Sequence, residues 1–189
     1  LEFIGGRKNK DSLYTKLLSK PEVSASQIYD KVRFRIVTRS SHDIFPVLNY
    51  VQRSIVPFNF VIPGQSTNTL ARFHEYCRSE PALSKHIKNM QLPLDLEDGL
   101  SPIDNRFTAP SYRVVHFVAD VPVRVPDKVL AAAPPGVSEL GHTIFVQTEF
   151  QVLDRATDES NEAGDASHQA YKARQKLAVM HRLKVGRFS

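Results

Sequence analysis

The spacing of apolar residues along the chain switches several times between the two-residue period of a β-strand and the longer period of a helix. Residues 32–38 alternate in polarity. One face of the predicted strand carries Val32, Phe34, Ile36 and Thr38, and the other carries Arg33, Arg35 and Val37, so the strand has a basic face. Residues 143–153 predict a longer strand. It exposes on one face the polar side chains Gln147, Glu149 and Gln151.

Two further stretches have strand character. Residues 55–62 predict a strand, followed by a turn at Pro63 and Gly64 and a loop that runs to Asn68. Residues 111–119 are nearly continuous in apolar and β-branched side chains, which is typical of a central strand, and residues 121–125 extend it past Pro122.

Helical spacing predicts the remaining elements. Helices are expected over residues 10–19, over residues 44–51 after a cap at residues 40–43, within residues 70–90 with a break near Pro81, and over residues 166–183. Residues 91–110 are rich in Pro, Asp and Gly and predict a long loop, and residues 131–136 predict a linker. Strands and helices together predict an α+β fold.

Length and composition limit the class of protein. A chain of 189 residues with 41% hydrophobic residues can bury one core, so residues 1–189 are interpreted as one domain. Because the chain lacks an initiating Met, we expect a domain excised from a longer protein. Cys77 is the only cysteine, which excludes a disulfide framework and favours a reducing cytoplasm. No apolar run is long enough to span a bilayer, and the start is not a signal peptide.

The charge favours an anionic partner. A formal net charge of +5 and a pI near 9.4 suit nucleotide phosphates or RNA, although an ordinary solvated basic surface explains the same numbers.

Two acidic residues in separate strands are candidates for chemistry. Asp30 lies at the entry of the strand over residues 32–38, and Glu149 lies inside the last strand. A sheet can bring such positions together, and Mg²⁺ needs only one or two protein carboxylates when substrate phosphates complete its coordination. The alternative is that Asp30 is a turn residue and Glu149 a surface acid.

Basic and aromatic side chains extend this candidate site. Arg7 and Lys8 lead into the first helix, and with Arg35 they could hold phosphates; a solvated terminus is the alternative for the first two. Tyr112 and His116 are four residues apart on one predicted strand and therefore share a face, where Tyr112 could stack on a base; a structural pair is equally compatible.

Several other motifs are absent or explained otherwise. The chain contains neither GxxxxGK[ST] nor GxGxxG, its seven histidines lack metal-ligand spacing, and Cys77 has no patterned histidine nearby. His42-Asp43 precedes an apolar helix and is explained by capping.

Four motifs, in order, resemble the synthetase domain of the RelA/SpoT family, which makes guanosine tetra- and pentaphosphate alarmones. The family's Ser-Ile-Tyr-x-Lys-Met after a basic pair is similar to Lys8 followed by Ser12, Tyr14 and Lys16. Its Ile-x-Asp-x-x-Gly-x-Arg-Ile is similar to Ile28, Asp30, Arg33, Arg35 and Ile36, and its Gly-Tyr-x-Ser-x-His to Tyr112 and His116. The most specific match is Glu-x-Gln followed by the family's helical motif, represented here by Glu149, Gln151, Glu162, Gly164, Ala166, His168, Tyr171 and Lys172.

The resemblance implies a nucleotidyltransferase-like mixed β-sheet of about five strands flanked by helices. It also implies transfer of the β,γ-pyrophosphate of ATP to the 3′-hydroxyl of GDP, GTP or another acceptor such as tRNA. Asp30 and Glu149 would hold Mg²⁺, Glu149 would help to deprotonate the acceptor, and Tyr112 would stack on guanine. The remaining nucleotide-binding positions would be Arg7, Lys8, Ser12, Lys16, Arg35, His116, Gln151, His168 and Lys172.

The chain also departs from the family pattern. Arg33 replaces a glycine, Leu153-Asp154 replaces Arg-Thr, Gln169 replaces Trp, and the family's basic and aromatic loop before the Tyr is absent. Arg106 is a candidate for the lost basic contact. We therefore interpret the chain as a divergent member that is either a pyrophosphokinase or a catalytically inactive domain that binds a nucleotide or RNA.

Overall fold

The computed structural model describes residues 1–19, 31–85, 100 and 105–185. The strands of the described part are β1 (Glu2–Arg7), β2 (Val32–Thr38), β3 (Val61–Asn68), β4 (Val115–Arg124) and β5 (Thr143–Asp154). Its helices are α1 (Lys10–Ser19), α2 (Ile44–Ser54), α3 (Phe73–Ser79), α4 (Pro81–Ser84), α5 (Asp127–Ala131), α6 (Arg155–Glu162) and α7 (His168–Val185).

The five strands form one mixed sheet in the order β1-β2-β5-β4-β3. β2 runs parallel to β5, and the other neighbouring pairs are antiparallel. The α+β class and the five-stranded mixed sheet predicted from the sequence are therefore confirmed. β5 is the central strand, and its residues 148–152 pair with β2 on one side and with β4 on the other.

A row of phenylalanines crosses one face of this sheet. The ring of Phe150 in β5 stacks on Phe117 of β4 at 5.0 Å and lies 5.7 Å from Phe34 of β2, which in turn stacks on Phe3 of β1. Such ring pairs contribute about 0.5–1.5 kcal/mol beyond the area they bury. Gly5 lies under the Phe34 ring, where an added Cβ would come within 3.1 Å of a ring carbon. This apolar face is the core of the domain.

Helix α2 covers the apolar face. Its buried residues Ile44 and Val51 pack in one cluster with Ile36, Phe150 and Val152 of the sheet. The capping box before α2, in which Asp43 accepts from the backbone N–H of Ser40 at 3.1 Å, starts the chain in the helical direction. The predicted cap and helix are both confirmed.

The strand predicted over residues 55–62 is wrong. The chain instead makes a turn and a short 3₁₀ segment, Phe58–Phe60, and the strand is β3, which contains Pro63 and Gly64. β3 is an edge strand, and its register with β4 shifts between Val61 and Ser66. A proline without an N–H and a glycine at φ 74° are accommodated at such an irregular edge.

The start of the strand predicted over residues 111–119 is also wrong. β4 begins at Val115, and several backbone groups just before it are bound by side chains. Asn161 of α6 accepts from the N–H of Arg113 at 3.0 Å and donates to its carbonyl at 2.7 Å. Thr69 Oγ1 accepts from the N–H of Val114 at 2.9 Å. Tyr112 therefore lies ahead of the strand and not on it with His116.

Three elements of the described part have no counterpart among the predictions, namely β1, α5 and α6. The structure confirms the helix over residues 10–19, the break at Pro81 and the strand that starts at Thr143. The last helix begins at His168. Most of the predicted loop over residues 91–110 lies outside the described residues. Among the helices of the described part, none has the length and apolar character needed to cross a bilayer.

We predict that the phenylalanine row dominates stability. Phe150 is 1% exposed, so Phe150→Ala should lower the free energy of unfolding by about 3–5 kcal/mol through lost burial and a residual cavity. Phe58, which is 71% exposed, is the matched control. Phe58→Ala should change the free energy of unfolding by less than about 0.5 kcal/mol. Urea unfolding followed by circular dichroism measures both; equal effects would contradict this account of the core.

Candidate active site

The face of the sheet opposite the phenylalanines is polar at its centre. Arg33 and Arg35 of β2 pair in register with Glu149 and Gln151 of β5, and His116 of β4 pairs with Gln151. Because side chains alternate along a strand, all five project from the same side of the sheet. We call these five residues the polar face.

Glu149 lies within a chain of hydrogen bonds across the three strands. Its Oε1 accepts from Gln151 Nε2 at 2.8 Å and lies 3.2 Å from His116 Nε2. The carbonyl oxygen of the Gln151 side chain accepts in turn from Arg35 Nε at 3.3 Å. The carboxylate, amide, imidazole and guanidinium groups therefore hold one another in position.

The two central polar residues are buried, which differs from the exposed face predicted for β5. Glu149 is 7% exposed and Gln151 is 8% exposed. A carboxylate removed from water is costly unless hydrogen-bond donors or opposite charges replace its hydration. The sequence correctly predicted that Glu149 and Gln151 share one face of β5, but the prediction that this face is exposed is wrong. Alternation along a strand does not show that α6 and the segment before β4 lie close to it.

Helix α6 provides two acidic partners for Arg35: Glu162, which belongs to the matched motif but whose contact was not predicted, and Asp158, which the sequence analysis did not identify. Arg35 NH1 lies 2.9 Å from Asp158 Oδ1 and 3.5 Å from Glu162 Oε1. The helix begins at a cap in which Asp154 accepts from the N–H of Thr157 at 3.1 Å. That Asp-x-x-Thr spacing directly after a strand is the signal by which α6 could have been found.

Tyr112 shares the surroundings of the polar face although it is not on β4. Burial raises the pKa of its phenol, the charge of Glu149 adds to that rise, and the Arg35 guanidinium opposes it. Its carbonyl accepts from Thr69 Oγ1 at 3.3 Å, which fixes the backbone at this point. Tyr112 therefore presents a neutral phenol beside Glu149 and Arg35 at ordinary pH.

The start of α7 brings two more predicted residues to this region. Burial lowers the pKa of His168, and the charges of Lys172, Arg33 and Arg35 lower it further, while Glu162 raises it. Three cationic side chains are thus close enough to His168 to disfavour its protonation. Tyr171, which belongs to the same motif, instead packs edge-on against Phe107 with ring centroids 6.4 Å apart.

The predicted residues near the N-terminus lie in and just after β1. Arg7 pairs with Val32, which by alternation places it on the side of the sheet opposite Arg33. The backbone N–H of Lys8 donates to the carbonyl of Lys31 at 3.0 Å, and that of Ser12 donates to Asn9 Oδ1 at 2.8 Å. Lys16 lies on α1, in its last turn.

Two other predicted positions have different outcomes. Asp30 lies outside the described residues, so its approach to Glu149 stays a prediction. Arg106 donates to the carbonyl of Ser19 at 2.7 Å, and its guanidinium lies 4.8 Å from the centroid of the Phe107 ring. Its described contacts therefore tie the end of α1 to the segment before β4.

The described side chains can be compared with the ligands that a metal ion requires. Within residues 1–19, 31–85 and 105–185, no group of three or more His, Cys, Asp or Glu side chains could hold a metal ion. Mg²⁺ does not require such a group, since one or two carboxylates with substrate phosphates and water complete its coordination. The carboxylate of Glu149 beside a basic surface is compatible with that chemistry.

Comparison with known proteins identifies the fold. No family model matches the chain, and no curated protein matches it. Its structure resembles that of small alarmone synthetase 1 from Bacillus subtilis bound to its product pppGpp, with a TM-score of 0.50 and 15% identity over 97% of this chain and 72% of that one.

Two other solved structures have a similar extent of overlap. Small alarmone synthetase 2 from Bacillus subtilis matches with a TM-score of 0.46 and 14% identity over 100% of this chain and 82% of that one. A GTP pyrophosphokinase family protein from Streptococcus pneumoniae matches with a TM-score of 0.47 and 12% identity over 98% and 71%. At 15% identity, the likeness to small alarmone synthetase 1 bound to pppGpp shows the fold alone, and that fold is the one implied by the sequence motifs.

We predict that the basic surroundings of His168 can be measured by titration. Nuclear magnetic resonance of the imidazole should give a pKa below 6.5, and Lys172→Met should raise it because a neighbouring cation is removed. Lys176→Met, one turn further along the exposed side of α7, is the matched control and should leave it unchanged. A pKa of 6.5 or above in the unaltered protein would contradict this arrangement.

The lowered pKa of His168 also makes the free energy of unfolding depend on pH. Because the folded chain disfavours the imidazolium, the unfolded chain takes up this proton first as the pH falls. The contribution of His168 is therefore complete above about pH 6.5 and is lost as the pH falls towards the lowered folded-state pKa.

Proposed function

We propose that the protein is a divergent RelA/SpoT-type pyrophosphokinase that uses Mg²⁺ and ATP. The acceptor is the 3′-hydroxyl of GDP, GTP or another nucleotide end such as that of tRNA. The observation that carries the proposal is the buried Glu149 carboxylate next to Arg33 and Arg35 on one face of the sheet. The alarmone synthetase fold and the bound product pppGpp of the structural neighbour support it.

The proposed reaction forms one bond and breaks one. The acceptor 3′-oxygen bonds to the β-phosphorus of ATP, the bond between that phosphorus and the α,β-bridging oxygen breaks, and AMP leaves with that oxygen. The hydroxyl proton passes to Glu149, which Gln151 and His116 orient through its Oε1. Such transfer depends mainly on positioning and on neutralising phosphate charge.

The basic side chains take the phosphates in this proposal. Arg33 and Arg35 lie beside Glu149 in register, and Lys172 lies near enough to both to share their effect on His168. Bound Mg²⁺ would neutralise polyphosphate charge, with Glu149 as one protein ligand and Asp30 as the proposed second. Tyr112, a neutral aromatic next to Glu149, supplies a surface on which a base can stack.

A second candidate function is supported by the contacts of Arg35. Its guanidinium is already bound by Asp158 and Glu162, so a phosphate must compete with two carboxylates for it. If a phosphate cannot displace these carboxylates from Arg35, the domain would bind a nucleotide or RNA weakly and would not transfer pyrophosphate. This is the catalytically inactive regulatory domain considered from the sequence.

We predict that Glu149→Gln abolishes transfer without loss of fold. The amide keeps the size of the side chain but cannot accept the proton, so turnover of γ-labelled ATP with GDP, GTP or tRNA should fall by about 10²–10⁴-fold. Glu159→Gln, an exposed acid on α6, is the matched control and should retain full activity. The proposal fails when no acceptor becomes labelled, or when Glu149→Gln is as active as the unaltered chain.

We further predict that Asp158→Asn strengthens ATP binding. Removing the nearer carboxylate leaves Arg35 with Glu162 at 3.5 Å and Gln151 at 3.3 Å, so a phosphate meets less competition. Calorimetry should show an affinity several-fold tighter, since a partly exposed charge pair such as this one, with 20% and 26% of its two side chains exposed, contributes on the order of 1 kcal/mol. Nucleotide binding without transfer in both forms would favour the inactive candidate, and unchanged affinity would exclude Arg35 as a phosphate ligand.

A further inference from the structure

Asn161 binds both backbone groups of one residue in the segment before β4. Its Oδ1 accepts from the N–H of Arg113 at 3.0 Å, and its Nδ2 donates to the carbonyl of Arg113 at 2.7 Å. A residue of an antiparallel strand exchanges the same two bonds with its partner strand, so the Asn161 amide takes the place of that partner. Asn161 is 4% exposed. Because a side-chain amide both accepts and donates, it can satisfy the backbone of Arg113 alone.

Helix α6 holds Asn161 in a fixed relation to the polar face. Asp154, the last residue of β5, accepts from the N–H of Thr157 at 3.1 Å and from its hydroxyl at 2.8 Å, which anchors the start of the helix to the sheet. Asp158 then lies 2.9 Å from Arg35 NH1. Asp158 and Asn161 are three positions apart and therefore share one side of the helix. One short helix thus connects the polar face to the segment before β4.

Tyr112 directly precedes Arg113 in the chain. The peptide unit that joins the two residues carries the N–H from which Asn161 accepts. Because a peptide unit is planar, its position also fixes that of the Tyr112 Cα. The charges of Glu149 and Arg35 act on the Tyr112 phenol, so the ring lies near the polar face. Loss of the Asn161 contact would therefore release the backbone from which this ring projects.

We propose that Asn161 is a positioning residue, which acts through Arg113 to hold the Tyr112 ring where a nucleotide base can stack on it. The proposal rests on the nucleotide binding proposed above, which supplies the base. It applies to a pyrophosphokinase and to an inactive nucleotide-binding domain alike, because both need a contact for the base. The position of the ring can be measured without any ligand, so the test is separate from that of transfer.

The chain contains no tryptophan, so Tyr112→Trp introduces a single fluorescent indole at this position. In that background, Asn161→Ala should shift the indole emission to longer wavelength and increase its quenching by acrylamide severalfold, because the released segment lets water reach the ring. Ser160→Ala, which changes an exposed side chain of the same helix, is the matched control and should alter neither. Circular dichroism shows whether each variant is folded.

Nucleotide binding gives a second readout in the chain with Tyr112 unaltered. Calorimetry with GDP should show about tenfold weaker binding by Asn161→Ala, which is the size of effect expected when a base loses its aromatic stacking partner. Where the chain transfers pyrophosphate, the same change should raise KM for the acceptor more than it lowers kcat, because Glu149 and the arginines are untouched.

The possible results separate the positioning role from the function. Unchanged emission and quenching in a folded Asn161→Ala variant overturn the positioning role, even when labelled ATP shows transfer. A changed indole signal in a chain that binds no nucleotide supports the control of residue 112 by Asn161, and only the proposed function fails. Should Tyr112→Trp not fold, the Tyr112 phenol is titrated by nuclear magnetic resonance instead. Asn161→Ala should then lower its raised pKa because the ring becomes more exposed, and an unchanged pKa overturns the role.

Should Asn161→Ala fail to fold, Asn161→Asp replaces it. An ionised carboxylate still accepts from the N–H of Arg113 but repels its carbonyl, whereas a protonated carboxyl group accepts and donates as the amide does. The indole emission of this variant should therefore return to that of the Tyr112→Trp parent as the pH falls through the pKa of the introduced carboxyl group. Emission that differs from the parent by the same amount at every pH, or that never differs from it, overturns the positioning role.

Discussion

The burial of one carboxylate in the central strand constrains the whole polar side of this protein. Glu149 is 7% exposed, and its position between β2 and β4 means that its partners must come from those strands and from its own. Gln151 and His116 supply hydrogen-bond donors, and Arg35 is connected through Gln151. Removing one of them would take a partner from a buried polar group, and a buried polar group that is left unsatisfied costs about 1–3 kcal/mol, or more when the group is charged.

The same strands build the site and the core, because alternate residues face opposite ways. Phe34 and Phe150 lie on one side in the phenylalanine row, and their sequence neighbours Arg35, Glu149 and Gln151 lie on the other. A shift of register by one residue would expose the rings and bury the arginines. The apolar face therefore fixes the positions of the polar groups, and a stable core is also what keeps the site in place.

Much of this arrangement could be predicted from the sequence where alternation was regular, as in β2 and β5. The prediction failed where the pattern was interrupted or the partner was remote. Pro63 and Gly64 indicated a turn but lie within an edge strand, and polar α6 has no apolar stripe to reveal it. The contacts of Asn161 with Arg113 and of Asp158 with Arg35 join segments 48 and 123 residues apart, and no local rule predicts such pairs.

The central claim is that Glu149 and the arginines beside it bind and transfer a polyphosphate. Its most direct test is a crystal structure with Mg²⁺ and a non-hydrolysable ATP analogue, in which the distances from the phosphate oxygens to the polar face are measured. The account predicts phosphate oxygens within hydrogen-bonding distance of Arg35 and a cation bound by the Glu149 carboxylate. An analogue bound elsewhere, with Arg35 still paired to Asp158 and Glu149 contacting neither cation nor ligand, would contradict it.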